Sequence, residues 1–152
     1  MNKTKQNIFI TNNLRETQKL AESLVKRLDK GDVVALYGNL GSGKTTFVQG
    51  LARGFGIRKR IISPTFIIVR TYKIGSKYQV LDIKHFYHID LYRIEGKKDL
   101  RGLGIEEIIN GKDIVVIEWA EKMQNLLPKK RWDVKFEDLG DSRRKITINQ
   151  KL

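Results

Sequence analysis

The sequence predicts an α/β fold on a mixed, mostly parallel central sheet, with antiparallel edge hairpins and flanking helices. Three observations carry that expectation. Val33–Tyr37 and Asp113–Ile117 are short apolar runs without alternation, the pattern of strands buried on both faces. Helical periodicity fills the stretches before and after the first of these runs. Near the end of the chain, Trp132–Phe136 and Lys145–Asn149 flank Gly140-Asp141 and read as a hairpin.

The elements follow in order. Ile8–Thr11 reads as a short edge strand. Asn13 with Glu16 three residues on has the form of a capping box, each side chain answering an orphan backbone donor. Leu20, Ala21, Leu24, Val25 and Leu28 then repeat at helical spacing, and Gly31 closes that helix. The strand Val33–Tyr37 runs into a glycine-rich turn, and a helix is expected from Lys44 to Arg53. Thr65–Tyr72 and Tyr78–Ile83 are β-rich and read as a hairpin around Gly75-Ser76, with extended chain resuming at Phe86–Tyr92. Leu100, Leu103, Ile105, Ile108 and Ile109 place one or two short helices within 99–110, around Gly102 and Gly104. The second buried strand ends at Glu118-Trp119, and a short helix runs to Leu127, where Pro128 stops it. No repeat, low-complexity tract or linker interrupts the 152 residues, so one domain spanning 1–152 is expected.

Composition narrows the function classes. The chain is 40% hydrophobic and 31% charged, which is globular rather than disordered. It contains no cysteine, excluding disulfide scaffolds, thiolate metal sites and thiol nucleophiles, and fitting a cytoplasmic location. No apolar stretch approaches the roughly 20 residues that cross a bilayer, and Met1–Asn7 has no apolar run of a secretory signal. Thirty Lys and Arg against 17 Asp and Glu give a net charge of +13, a balance that attracts nucleic acid or nucleotides or follows from a lysine-rich composition. The tightest basic cluster is Arg58-Lys59-Arg60.

One motif carries chemistry. Gly38-Asn39-Leu40-Gly41-Ser42-Gly43-Lys44-Thr45 satisfies G-x-x-x-x-G-K-[ST], between a buried strand and a helical pattern, and predicts a P-loop NTPase-like fold. Gly38, Gly41 and Gly43 allow backbone N–H groups to converge on phosphate oxygens, and the helix N-terminus adds partial positive charge. Lys44 is expected to reach the β- and γ-phosphates of a nucleoside triphosphate, and the Thr45 hydroxyl to ligate Mg²⁺. A second metal oxygen is sought at a strand's carboxyl end. Glu118 ends one buried strand and Asp90 ends Phe86–Ile89, and Lys44, Asp90 and Glu118 are the candidate catalytic set. His88 reads as the partner or orienter of a neighbour, and Trp119 either lines the nucleotide pocket or fills core.

The order of four blocks extends the reading. Gly38 to Thr46, Ser63-Pro64-Thr65-Phe66, His88-Ile89-Asp90-Leu91-Tyr92-Arg93 and Glu118-Trp119-Ala120-Glu121 together resemble the bacterial TsaE family, over roughly residues 8 to 150. That resemblance implies a small ATPase of the machinery that makes threonylcarbamoyladenosine on tRNA, with TsaD and TsaB as partner proteins. It further implies that Gly41, Ser42, Gly43, Lys44, Thr45 and Thr46 bind ATP phosphates and that Thr45 with Glu118 holds Mg²⁺. Asp90 would contact the metal or phosphate region, Thr11 would lie near the adenine, and Arg143 or its neighbour Arg144 at the far side of the nucleotide. Ser63–Phe66 could sense the nucleotide or simply form a turn. Turnover by the chain alone is expected to be low, since no arginine finger is evident, although Arg53, Arg70 and Arg93 remain in-chain candidates. The competing readings are a small-molecule kinase on the same fold and an RNA-binding module with a vestigial P-loop.

Overall fold

The computed structural model describes residues 6–62 and 68–152. Along the chain the elements are β1 (Gln6–Thr11), α1 (Leu14–Val25), β2 (Val33–Tyr37), α2 (Lys44–Gly54), β3 (Val69–Lys73), β4 (His85–Asp90), α3 (Lys97–Leu100), α4 (Ile105–Ile109), β5 (Ile114–Glu118), β6 (Arg131–Gly140) and β7 (Arg143–Lys151). Short 3₁₀ segments occupy Ser76–Leu81, Ala120–Lys122 and Gln124–Leu126. The last two replace the short helix expected before Pro128.

All seven strands form one sheet in the order β1-β7-β6-β2-β5-β4-β3. β6, β2, β5 and β4 are mutually parallel, while β7 joins β6 antiparallel, β1 joins β7 antiparallel and β3 joins β4 antiparallel. This is the mixed α/β sheet expected from the sequence, with the two unalternating runs side by side as β2 and β5. Their alternate residues serve two cores. Val34, Leu36, Ile114 and Val116 pack with Phe47, Leu51, Ala21 and Leu24 of the α1/α2 layer. Val33, Ala35, Val115 and Ile117 pack with Ile105, Ile109 and Met123 on the opposite face.

At the start of α1 the Asn13 side chain accepts the Glu16 N–H at 2.9 Å. Glu16 returns its carboxylate to the N–H of Asn12 rather than Asn13, a capping box displaced by one residue. α2 lies so close to α1 that a Cβ on Gly50 would stand 2.4 Å from the Gln18 carbonyl oxygen and 2.7 Å from the Ala21 Cβ.

One expected pairing does not form. Tyr78–Ile83 is no strand: Ser76–Leu81 is a 3₁₀ segment, and β3 pairs instead with β4, Tyr72 opposite Phe86. The physical reason lies in what the apolar residues cover. Gly75 donates its N–H to the Phe55 carbonyl at 3.1 Å, tying this segment to the end of α2 rather than closing a hairpin. Tyr78 then meets Phe55 edge to face at 5.6 Å and Ile83 is fully buried, so these residues satisfy their hydrophobicity as a plug over the core. Residues 65–67, at the start of the expected first strand of that hairpin, lie outside the described residues.

The root of the glycine-rich turn is anchored by a buried carboxylate. Asp133 of β6 is 3% exposed and accepts from Tyr37 Oη at 3.0 Å, Arg131 Nε at 2.8 Å and Lys151 Nζ at 3.2 Å. Burial, followed by the Asp133 charge, pushes the Tyr37 phenol up to about 12.

Candidate functional site

The turn between β2 and α2 can be built only with glycine at its first position. Gly38 has φ +156°, and a Cβ there would lie 2.5 Å from Ser42 Oγ and 3.1 Å from the Phe136 carbonyl oxygen. Gly41 and Gly43 also take positive φ, +77° and +106°. Gly43 caps α2 without a side-chain bond, which leaves the first amides of the helix to whatever enters the turn.

Lys44, 5% exposed, directs its ammonium at the Gly38 and Asn39 carbonyls, 3.0 Å from the latter, and lies 4.0 Å from the centre of the Trp119 ring. Burial lowers its pKa, while Glu118, Glu121 and Asp90 oppose that shift by attraction. Beside it the Thr45 hydroxyl donates to Glu118 Oε1 at 2.9 Å, and the other carboxylate oxygen meets His88 Nε2 at 2.5 Å. β4 and β5 place Asp90 directly opposite Glu118 at their carboxyl ends. Asp90 accepts the Tyr92 N–H at 3.0 Å in a turn that ends β4.

These groups line a cleft of about 290 Å³, whose walls include Gly41, Gly43, Lys44, Thr45, Thr46, Asp90 and Glu118. Its chemistry suits a nucleotide phosphate chain. Backbone N–H groups and one lysine face it from α2, and Arg144 closes the side, donating to the Gly41 carbonyl at 3.2 Å and to Asp138 at 2.9 Å. The Thr45 hydroxyl and the Glu118 carboxylate are hard oxygen donors of the kind Mg²⁺ selects. Among the described residues no group of three or more His, Cys, Asp or Glu could hold a metal unaided, so a Mg²⁺ here would be completed by phosphate oxygens and water.

Comparison with known proteins agrees with this architecture. The family model described as "Threonylcarbamoyl adenosine biosynthesis protein TsaE" matches residues 11–146. The chain belongs to the TsaE family. Among similar proteins, the tRNA threonylcarbamoyladenosine biosynthesis protein TsaE of Bacillus subtilis (strain 168) is 36% identical over 95% of this chain and 85% of its own length. The TsaE proteins of Rickettsia felis and Treponema pallidum are 39% and 34% identical over 93% and 91% of the chain, and over 78% and 97% of their own lengths. The crystal structure of Bacillus subtilis YdiB superposes with a TM-score of 0.81 at 31% identity, covering all of this chain and 90% of that one. The fold is thus of the P-loop type, and the family's role lies in threonylcarbamoyladenosine biosynthesis.

In this TsaE-family chain the expected residues fall into three groups. Gly41, Gly43, Lys44, Thr45, Thr46, Asp90 and Glu118 converge on the cleft, with Gly38 beneath them. Ser42 points the other way, its Oγ buried without a hydrogen-bond partner among the described residues, against Gly38. Thr11 and Arg143 lie apart. Thr11 is 4% exposed and its hydroxyl is shared with Thr17 at 2.8 Å, tying β1 to α1 rather than facing the cleft. Arg143 is exposed, and its neighbour Arg144 is the one at the loop. β7 explains why: Arg144 has the parity of Ile146 and Ile148, which face the α1/α2 core, so Arg143 is on the other face. That alternation is visible in the sequence and separates the two.

Trp119 lines the cleft while also packing on the second core, with the left-handed backbone φ +59°. Leu14, Leu40 and Tyr92 complete the rim; Leu40 is a variable position of the glycine motif, Tyr92 stands in the third block, and neither pattern assigns them this place. None of Arg53, Arg70 and Arg93 lines the cleft; Arg53 sits at the far end of α2, 3.7 Å from Glu22. Ser63–Phe66 lies outside the described residues.

Proposed function

We propose that the chain is a Mg²⁺-dependent ATPase, converting ATP to ADP and phosphate, within the threonylcarbamoyladenosine machinery of the cytoplasm, and that it acts with TsaD and TsaB. The observation that carries the reading is the line Lys44–Thr45–Glu118–Asp90 along one wall of a cleft opened by a glycine turn. In that reading Lys44 leaves its carbonyl partners for the transferring phosphoryl group, where a fixed positive charge stabilises developing negative charge. Thr45 and Glu118 would hold Mg²⁺, whose positive charge would offset the negative charge of the phosphates. Arg144 supplies a second cation, and Asp90 orients the far side of the metal or phosphate region.

A partner-completed site is supported by the rim. Leu14 and Leu40 are 63% and 75% exposed beside the cleft, apolar surface that a covering protein would bury. The deciding experiment is ATP hydrolysis by the pure chain with and without Mg²⁺, then with TsaD and TsaB. Slow Mg²⁺-dependent turnover that rises sharply with the partners is the expected result. Fast turnover alone, or no response to partners, refutes it. Glu118→Ala should impair hydrolysis more than ATP binding; normal turnover in that variant would remove Glu118 from the metal site.

A tRNA contact is a second element of the proposal. Arg53, Arg58, Lys59 and Arg60 line a cleft of about 410 Å³ that Gln18 of α1 and Gln49 of α2 also border, and the last three make no ion pair among the described residues. Replacing Arg58, Lys59 and Arg60 with glutamine should flatten the salt dependence of tRNA binding, since each phosphate left unneutralised lowers the slope by about 0.7–0.9. An unchanged slope would make the +13 charge a matter of composition.

A further inference from the structure

We infer that His88 is a positioning residue that fixes the rotation of the Glu118 carboxylate, leaving one oxygen for Mg²⁺ and withholding the other. The inference rests on the reading that Thr45 and Glu118 hold the metal. β4 and β5 run parallel with His88 beside Val116 and Asp90 beside Glu118, so His88, Asp90 and Glu118 project to one face. The imidazole stands one pleat below the carboxylate, fully buried, with Nε2 2.5 Å from Glu118 Oε2. A carboxylate only accepts, so the hydrogen of this bond is on Nε2. The other ring nitrogen, Nδ1, is buried and has no hydrogen-bond partner among the described residues. Among the described residues the one polar contact that holds the ring is Glu118.

The two carboxylate oxygens consequently have different duties. Oε1 accepts from Thr45, itself on the cleft wall, at 2.9 Å, whereas Oε2 is occupied by His88. A free carboxylate beside Thr45 could rotate, bind a cation through both oxygens, or turn to the Lys44 ammonium. With Oε2 tied to His88 it offers a single oxygen next to the Thr45 hydroxyl, an arrangement suited to an ion that prefers octahedral geometry and keeps its waters. Hydrogen bonds behind a metal ligand of this kind typically govern about 10–100-fold in metal affinity.

The test compares replacements that carry an N–H at different places. Glutamine places its amide nitrogen the same number of bonds from Cα as Nε2, whereas asparagine reaches only to the position of Nδ1, which has no partner among the described residues. ATP affinity is measured by calorimetry in Mg²⁺ and in EDTA for the wild type, His88→Gln, His88→Asn and His88→Leu, with melting curves confirming that each is folded. His88→Asn and His88→Leu should lose about 10–100-fold of the Mg²⁺-dependent enhancement and keep wild-type affinity in EDTA, while His88→Gln retains the enhancement within a few-fold. If His88→Leu does not fold, the glutamine–asparagine pair decides alone. Wild-type enhancement in the asparagine variant, or equal loss in the asparagine and glutamine variants, overturns the inference. A wild-type chain whose ATP affinity ignores Mg²⁺ overturns the metal reading beneath it, a result distinct from either.

Discussion

Replacing Gly50 with alanine tests whether the approach of α1 to α2 holds the fold together at the P-loop helix. Alanine in a helix interior is intrinsically better than glycine by about 1 kcal/mol, so propensity alone predicts stabilisation. The structure opposes it. The new Cβ would lie 2.4 Å from the Gln18 carbonyl oxygen, 2.7 Å from the Ala21 Cβ and 2.8 Å from the Gln18 Cα, and two of these three are backbone atoms. No side-chain rotation relieves them. Restoring ordinary contact asks α1 to retreat by about 1 Å, a gap that forfeits a quarter to a half of each dispersion contact between facing residues. Overpacking of this kind costs typically 1–3 kcal/mol, and backbone clashes place this site near ~3. After the helix-propensity gain the net loss is about 2 kcal/mol, or a fall in Tm of roughly 4–8 °C for a chain of this size. Urea unfolding followed by far-ultraviolet circular dichroism measures it. Gly96, whose Cβ would meet nothing within 4 Å, is the control; as the N-cap of α3 it should lose no more than about 1 kcal/mol on Gly96→Ala, with no clash added. A Gly50→Ala protein as stable as the wild type, or more so, would refute the packing argument.

Three other outcomes are expected. Gly38→Ala should cost at least about tenfold in ATP affinity, because the Phe136 carbonyl oxygen at 3.1 Å blocks the added methyl where φ is already +156°; titration with ATP checks this, and unaltered binding refutes it. Arg144→Ala should weaken ATP binding by about tenfold while Arg143→Ala leaves it unchanged, since only Arg144 bonds the glycine turn; the same titration gives the reverse order if the strand parity is wrong. For Tyr37, the phenol rises from 10.0 in its ordinary state to about 12 in the fold. Between those values the unfolded chain releases the proton and the folded chain keeps it, so stability falls as pH rises through that window. Urea midpoints at about pH 9 and about pH 11 should therefore differ less in Tyr37→Phe than in the wild type, and an equal difference would exclude Tyr37 as the source.

Legibility followed the reach of each signal. The P-loop was readable because one local pattern fixes both backbone and chemistry, and β2 and β5 because strands buried on both faces need no alternation. Glu118 and Asp90 stand side by side on the cleft, where the rule that open-sheet ligands gather at the strands' carboxyl ends directs attention. Sequence and structure part where a residue's surroundings depend on a neighbour distant along the chain or on the opposite face of a strand. Tyr78 and Ile83 have the composition of strand residues until Phe55 and Gly75 give them a place over the core. Thr11 is an ordinary strand-end hydroxyl until Thr17 claims it. The choice between Arg143 and Arg144 needs only the parity of Ile146 and Ile148. Trp119 kept two open readings, and the fold uses both, since the same ring packs on the second core and covers Lys44.

β2 lies fourth of seven strands, hydrogen-bonded along both sides and buried on both faces, and the phosphate turn hangs directly from its end. Its amides can exchange with solvent only when the sheet itself comes apart, so their exchange rates report global rather than local opening. A ligand held by that turn is therefore held by a strand at the most protected place in the sheet. Its binding energy is shared by the whole cooperative unit, about 2.7 kcal/mol at a hundred times Kd. Nucleotide should accordingly slow exchange as far away as β6 and β5, at amides that no nucleotide atom touches.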